Sequence, residues 1–159
     1  MAAGARAVVL TGLPVAVNGV LRGDDARAFV DAGAAALIVS HHGGRQLDGL
    51  VPTAWALPEM VDAVAGMGTE VYVDGGVRRG SHVFAALALG ARAVFVGRPA
   101  LWALTVAGAE GVTRLIRELT AELVETMRLT GVPELPAIGR DLLHSSAGIS
   151  RWAGSPHAR

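Results

Sequence analysis

The sequence contains no cysteine and no lysine. The first absence excludes disulfides, thiolate nucleophiles and cysteine-ligated metals. The second excludes lysine Schiff bases and P-loop lysines, and leaves arginine as the source of all 14 basic residues. A charge excess of either sign is lacking too, since 14 acidic residues balance the arginines. Nothing therefore marks a nucleic-acid or anionic membrane partner. There is no long hydrophobic run. The longest stretch free of Asp, Glu, Lys and Arg is Ala7 to Leu21, 15 residues interrupted by Pro14 and Asn18, whereas a membrane-spanning helix needs about 20 apolar residues. Met1 to Arg6 lack the basic-then-apolar layout of a secretory signal. The expectation is a soluble, cytoplasmic protein with no membrane or nucleic-acid partner and no metal site.

What is present is apolar. Hydrophobic residues make up 52% and charged residues 18%, the balance of a folded chain rather than a disordered one, and 159 residues suit a single domain. Four short apolar runs recur: Leu13 to Val17, Ala35 to Ser40, Glu70 to Asp74 and Ala93 to Gly97. They are too short for helices and are bounded by Gly, Pro or polar residues, so they read as buried strands. Helical spacing follows each one. Ala26, Phe29 and Val30 form the first stripe. Leu57, Met60, Val61 and Val64 form the second, with Thr53 as N-cap. Val83, Phe84 and Leu87 form the third, capped by Ser81. Val112, Leu115, Ile116, Leu119 and Leu123 form the longest, ending near Gly131 with Pro133 beyond. Four βα units imply a parallel sheet. An open doubly wound sheet and part of a (βα)8 barrel both fit this pattern.

The unusual segments fall where strands end, the face on which parallel α/β sheets bind ligands. They are Val17-Asn18-Gly19, Ser40-His41-His42-Gly43-Gly44-Arg45-Gln46-Leu47-Asp48, Asp74-Gly75-Gly76-Val77-Arg78-Arg79-Gly80, and Gly97-Arg98-Pro99. The last two suit a phosphate: glycine lets backbone N–H groups approach it, helix N-termini add their dipoles, and Arg78 and Arg98 pair with its oxygens. The bland alternative is that Gly75, Gly76 and Gly80 only make a tight turn. In the second segment a histidine can serve as general base and Arg45 can hold a carboxylate bidentately. A surface histidine pair beside an arginine salt bridge is the competing reading.

The nine residues from Ser40 to Asp48 resemble the active-site segment of the FMN-dependent 2-hydroxy-acid oxidases and dehydrogenases, which include glycolate oxidase, lactate oxidase and mandelate dehydrogenase. Leu13-Pro14-Val15, Gly19-Val20, Asp74 to Gly80 and Gly97-Arg98-Pro99 fall in register with the same family, so the resemblance runs from about Thr11 to Gly131. It implies the C-terminal half of a TIM barrel over residues 1–147, while residues 148–159 read from their own composition as a disordered tail. It implies FMN as cofactor and a small L-2-hydroxy acid as substrate, oxidised to the 2-oxo acid as a hydride equivalent passes to the flavin. His42 would be the base and Arg45 the carboxylate ligand. Ser40 would contact the flavin ring. Asp74, Gly75, Gly76, Val77 and Arg78 would line the ribityl-phosphate site, completed by Gly97 and Arg98. Asp48, Arg79 and His82 are expected to be structural or superficial.

The sequence departs from the family in three ways. Asn18 stands where the family has a lysine beside the flavin; it can still hydrogen-bond there but carries no charge. His41 stands at a family asparagine, so register assigns the base to His42. A (βα)8 barrel also takes about 250 residues, and four βα units leave strand edges and an apolar inner face uncovered. Completion by an N-terminal half-barrel or by self-association is the expectation. The alternative is a non-catalytic half-barrel that keeps only a flavin-phosphate site.

Overall fold

The computed structural model describes residues 12–144; the tail expected from Gly148 lies outside them. Four strands alternate with four helices: β1 (Ala16–Val20), α1 (Gly23–Asp31), β2 (Ala36–Val39), α2 (Thr53–Ala63), β3 (Glu70–Val73), α3 (Gly80–Ala88), β4 (Ala93–Val94) and α4 (Arg98–Leu129). The sheet order is β1-β2-β3-β4, and every neighbouring pair is parallel. With crossovers of one hand, that sequential order puts the helices on one face, as in a barrel wall. A doubly wound sheet reverses its order partway. The four βα units are a portion of a TIM barrel.

Alternation along the strands makes the two faces different. Val20, Val39, Val73 and Val94 share one register row and pack with Leu37 and Val71 against Ala26 of α1, Leu57 and Met60 of α2, and Ala86 of α3. Leu57 and Met60 are fully buried, so Leu57→Ala should cost about 2–5 kcal/mol. The row Asn18, Ile38, Tyr72 and Ala93 lies on the other face. There Tyr72 meets Phe95 edge-on, with ring centroids 5.6 Å apart, and Phe95 stays 48% exposed. The apolar inner face expected from the sequence is thus real. Among the described residues, no helix is long and apolar enough to cross a membrane.

Several boundaries differ from expectation, each for a local reason. The first strand begins at Ala16 rather than Leu13. Pro14 has no N–H for a ladder, and the ladder starts where Val15 O accepts from Ala35 N–H at 2.9 Å. The register then shifts between Asn18 and Val20, a bulge at Gly19 with φ +97°. The fourth strand is two residues long, although Phe95 N–H still reaches Val73 O at 2.9 Å.

The caps also move. Thr53 is the first residue of α2, with Pro52 in the cap position. Ser81 lies inside α3, whose cap position is Arg79. A carboxylate from the following helix satisfies the exposed start instead: Glu59 Oε1 accepts from Gly23 N–H (2.8 Å), and Glu122 Oε2 from Gly80 N–H (2.6 Å). Gly80 also sets how closely α3 and α4 cross, because a methyl group there would stand 2.1 Å from Leu123 N.

α4 starts earlier than its apolar stripe suggests and is broken at Ala107 and Gly108. The segment before the break folds back until Ala103 O faces Gly111, where a methyl group would stand 2.1 Å away. Beyond the break, Met127 joins Phe84, Ala88, Val132 and Ile138 in a second core. The helix ends as expected: Gly131 has φ +72° and Val132 N–H returns to Met127 O at 2.8 Å.

Candidate active site

The loops after β2, β3 and β4 enclose a cavity of about 560 Å3 lined by His42, Arg45, Asp74, Gly75, Gly76, Val77, Gly97 and Arg98, together with Gly43, Gln46, Phe95, Val96 and Leu101. Eight of the eleven residues expected at the site therefore converge from three loops. The other three lie elsewhere. Ser40 is buried, 1% exposed, and its hydroxyl accepts from His42 N–H at 3.0 Å. It turns the chain that carries His42 rather than lining the cavity. Asn18 is exposed on the inner-face row of β1, next to the bulge. Arg78 donates through Nη1 to Val77 O (2.7 Å), and its guanidinium carbon lies 5.3 Å from the ring centroid of Trp102.

The loop after β2 is built from left-handed backbone. His42, Gly43 and Gly44 have φ of 52°, 68° and 75°, and His42 is the one non-glycine residue with positive φ among those described. Such a residue stores strain of about 1–3 kcal/mol. Here it throws two adjacent histidines to different sides. The His41 ring accepts from Gly43 N–H through Nδ1 at 2.9 Å and lines a second space of about 390 Å3 between α2 and α3 with Thr53, Leu57 and His82. The His42 ring lies over Gly19, where a methyl group would stand 2.6 Å from Nε2. Only His42 of the pair reaches the larger cavity.

The loop after β3 is held from below. Thr53, 3% exposed, donates its hydroxyl to Asp74 O (2.7 Å), with Gly75 O at 3.3 Å. Gly75 and Gly76 both have positive φ, +85° and +84°, so the chain can turn there with its backbone facing the cavity. Asp74 Oδ1 is buried with no hydrogen-bond partner among the described residues. A buried carboxyl oxygen without a donor is costly.

The loop after β4 leads into α4, whose N-cap is Gly97 with Pro99 in the first turn and no side-chain cap. This helix start borders the cavity, whereas Glu122 occupies the start of α3. The Arg98 guanidinium reaches back across Gly43, where a methyl group would lie 3.1 Å from Nη2. Neither Arg45 nor Arg98 has a carboxylate partner among the described ion pairs. Two unneutralised guanidinium groups, one carboxylate and an open helix start make a cavity suited to anions.

Two of the polar residues beside the site make local hydrogen bonds. Asp48 Oδ1 accepts from Gly49 N–H (2.9 Å), and His82 Nδ1 accepts from Arg78 N–H (3.3 Å). Sequence reasoning missed Thr53 as a loop anchor, Phe95 and Leu101 as lining, and Trp102 under Arg78. Gln46 lines the cavity from the same loop as His42 and Arg45.

The comparisons with known proteins agree with this geometry. Residues 5–145 match the family described as FMN-dependent dehydrogenase. The chain is 50% identical to an L-lactate oxidase of Nostoc sp., over 85% of this chain and 37% of that protein. It is also 50% identical to a 4-hydroxymandelate oxidase of Amycolatopsis orientalis, over 87% and 38%. A crystal structure of mandelate oxidase with benzoyl-formic acid superposes with a TM-score of 0.82 at 50% identity, covering 86% of this chain and 41% of that one. The chain thus spans less than two-fifths of the length of these curated relatives. With the match running through every loop of the cavity, the chain belongs to the FMN-dependent dehydrogenase family.

Proposed function

We propose that this chain supplies the base, the carboxylate clamp and the phosphate end of an FMN site that oxidises an L-2-hydroxy acid to the 2-oxo acid, within a complete barrel. The observation that carries the proposal is the meeting of His42, Arg45, Asp74 and Arg98 on one cavity. The residues fit the cofactor. Asp74 Oδ1 lacks a donor and suits a ribityl hydroxyl, while Gly76 and Gly97 leave open space at their Cα atoms beside the α4 start and Arg98, which suits a phosphate. When bound, FMN supplies the acceptor for the two electrons removed from the substrate's C2.

The protein's part is binding and proton transfer. Arg45 pairs with the substrate carboxylate through two parallel N–H donors, which fixes the C2 hydroxyl in orientation. His42 takes the hydroxyl proton at an imidazole nitrogen as the C2–H electron pair leaves with its hydrogen and the C=O bond forms. Relatives named lactate, glycolate and 4-hydroxymandelate oxidase support this substrate class. Partners follow from the uncovered inner face: a complementary N-terminal half-barrel, or a second copy of this chain. A cytoplasmic location belongs to the same reading. A second reading, a non-catalytic half-barrel retaining only the flavin-phosphate site, draws support from the uncharged Asn18.

The test is turnover of glycolate, L-lactate and L-mandelate with added FMN and an artificial electron acceptor. The chain is assayed alone and after co-expression with a family N-terminal half. The expected result is activity only in combination, abolished by His42→Ala. FMN binding without turnover in either condition would favour the non-catalytic reading. Robust turnover by the lone chain would refute the need for a partner.

A further inference from the structure

Arg78 and Arg98 carry like charges on different loops, Arg98 lining the cavity and Arg78 standing beside Trp102. Arg98 and Trp102 are four residues apart in the first segment of α4, so they share one helix face about one turn apart. The Arg78 guanidinium lies 5.3 Å from the Trp102 ring centroid, and its Nη1 donates to Val77 O. Resting on the FMN reading above, we infer that Trp102 is a positioning residue for the phosphate end of the site. Its ring holds Arg78 one helical turn from Arg98, and the two guanidinium groups then close on the phosphate as a clamp.

The physics favours an aromatic ring over an acid in this role. Stacking occupies the flat face of a guanidinium and leaves its in-plane N–H fork free for an anion. An aspartate would orient Arg78 equally well but would neutralise it and repel the phosphate. The break at Ala107 and Gly108 matters as well. It frees the segment bearing Arg98 and Trp102 from the axis of the longer helix, so its start can border the cavity.

The experiment compares FMN with riboflavin, which lacks the phosphate, by equilibrium dialysis on the full chain. Trp102→Leu should weaken FMN binding about five- to tenfold, in keeping with loss of a half-exposed cation–π contact, and leave riboflavin unchanged. Trp102→Phe should lose less, because a weaker π face remains. Trp55→Phe, on α2, should lose nothing. In an Arg78→Ala background the Trp102→Leu loss should vanish, because the ring acts through Arg78. Equal losses for FMN and riboflavin would overturn the inference, as would an undiminished effect without Arg78. If Trp102→Leu does not fold, the same comparison with Trp102→Phe decides it, with a twofold FMN-specific loss expected and no loss overturning it. Wild-type chain that binds FMN no better than riboflavin would overturn the phosphate site itself, a distinct outcome from a wild-type preference that survives Trp102→Leu.

Discussion

Gly19 and His42 touch across the ends of β1 and β2: the imidazole occupies the space a side chain at position 19 would fill, 2.6 Å from Nε2. The bulge that gives Gly19 its φ of +97° therefore makes room for the proposed base. Asn18 is the adjacent residue, so one local feature sets the surroundings of both Asn18 and His42.

Gly19→Ala should for this reason displace His42. Holding alanine at a strongly positive φ costs about 1–3 kcal/mol, and relieving the contact means moving the ring. The expected outcome is a lower urea midpoint together with shifted His42 imidazole resonances by NMR. A variant of normal stability with unmoved His42 signals would contradict the contact.

Thr53→Val should loosen the loop after β3. The buried hydroxyl donates to Asp74 O at 2.7 Å, and its loss leaves a backbone acceptor unsatisfied at a cost of about 1–3 kcal/mol. Thr53→Ser keeps the donor and should retain most of the stability. Urea unfolding of the three proteins checks the order: wild type first, serine next, valine last.

Acid should weaken the tie between α2 and the segment following α4. Asp62 pairs bidentately with Arg140, at 2.8 and 3.2 Å, and the hydrogen bond from Arg140 is the main cause holding the carboxyl below its ordinary value of 3.8, aided by the arginine's charge. Because the folded value is the lower one, the contribution is fully present above the ordinary value and is lost as pH falls through the folded one. The stability gap between wild type and Asp62→Asn should hold steady from neutral pH down to about 5 and close at lower pH. Salt should narrow it as well, since both groups are exposed. Urea midpoints across a pH series measure the gap, and widening on acidification would disprove the assignment.

The strands, the helical stripes and the loops bearing His42, Arg45, Asp74 and Arg98 were legible in the sequence. Each is written in residues close together: an apolar run, a repeat every three or four positions, a cluster of glycine beside arginine or histidine. Thr53 and Ser81 were misread as caps because a hydroxyl before an apolar stripe looks the same whether it serves its own helix or a neighbouring loop. Family register separated His42 from His41 in the sequence, but the opposite directions of their rings follow from the left-handed φ of His42, which no neighbouring residue type demands.

What the sequence determined by itself was therefore the order of βα units and which loops carry chemistry, since both depend on local periodicity and composition. The tertiary structure alone decided that Gly19 shelters His42, that Glu122 caps Gly80 from 42 residues away, and that Trp102 lies against Arg78. Those relationships join residues from different loops and helices, so they exist only once the packing of α3 against α4, and of each loop against the next, has fixed the distances between them.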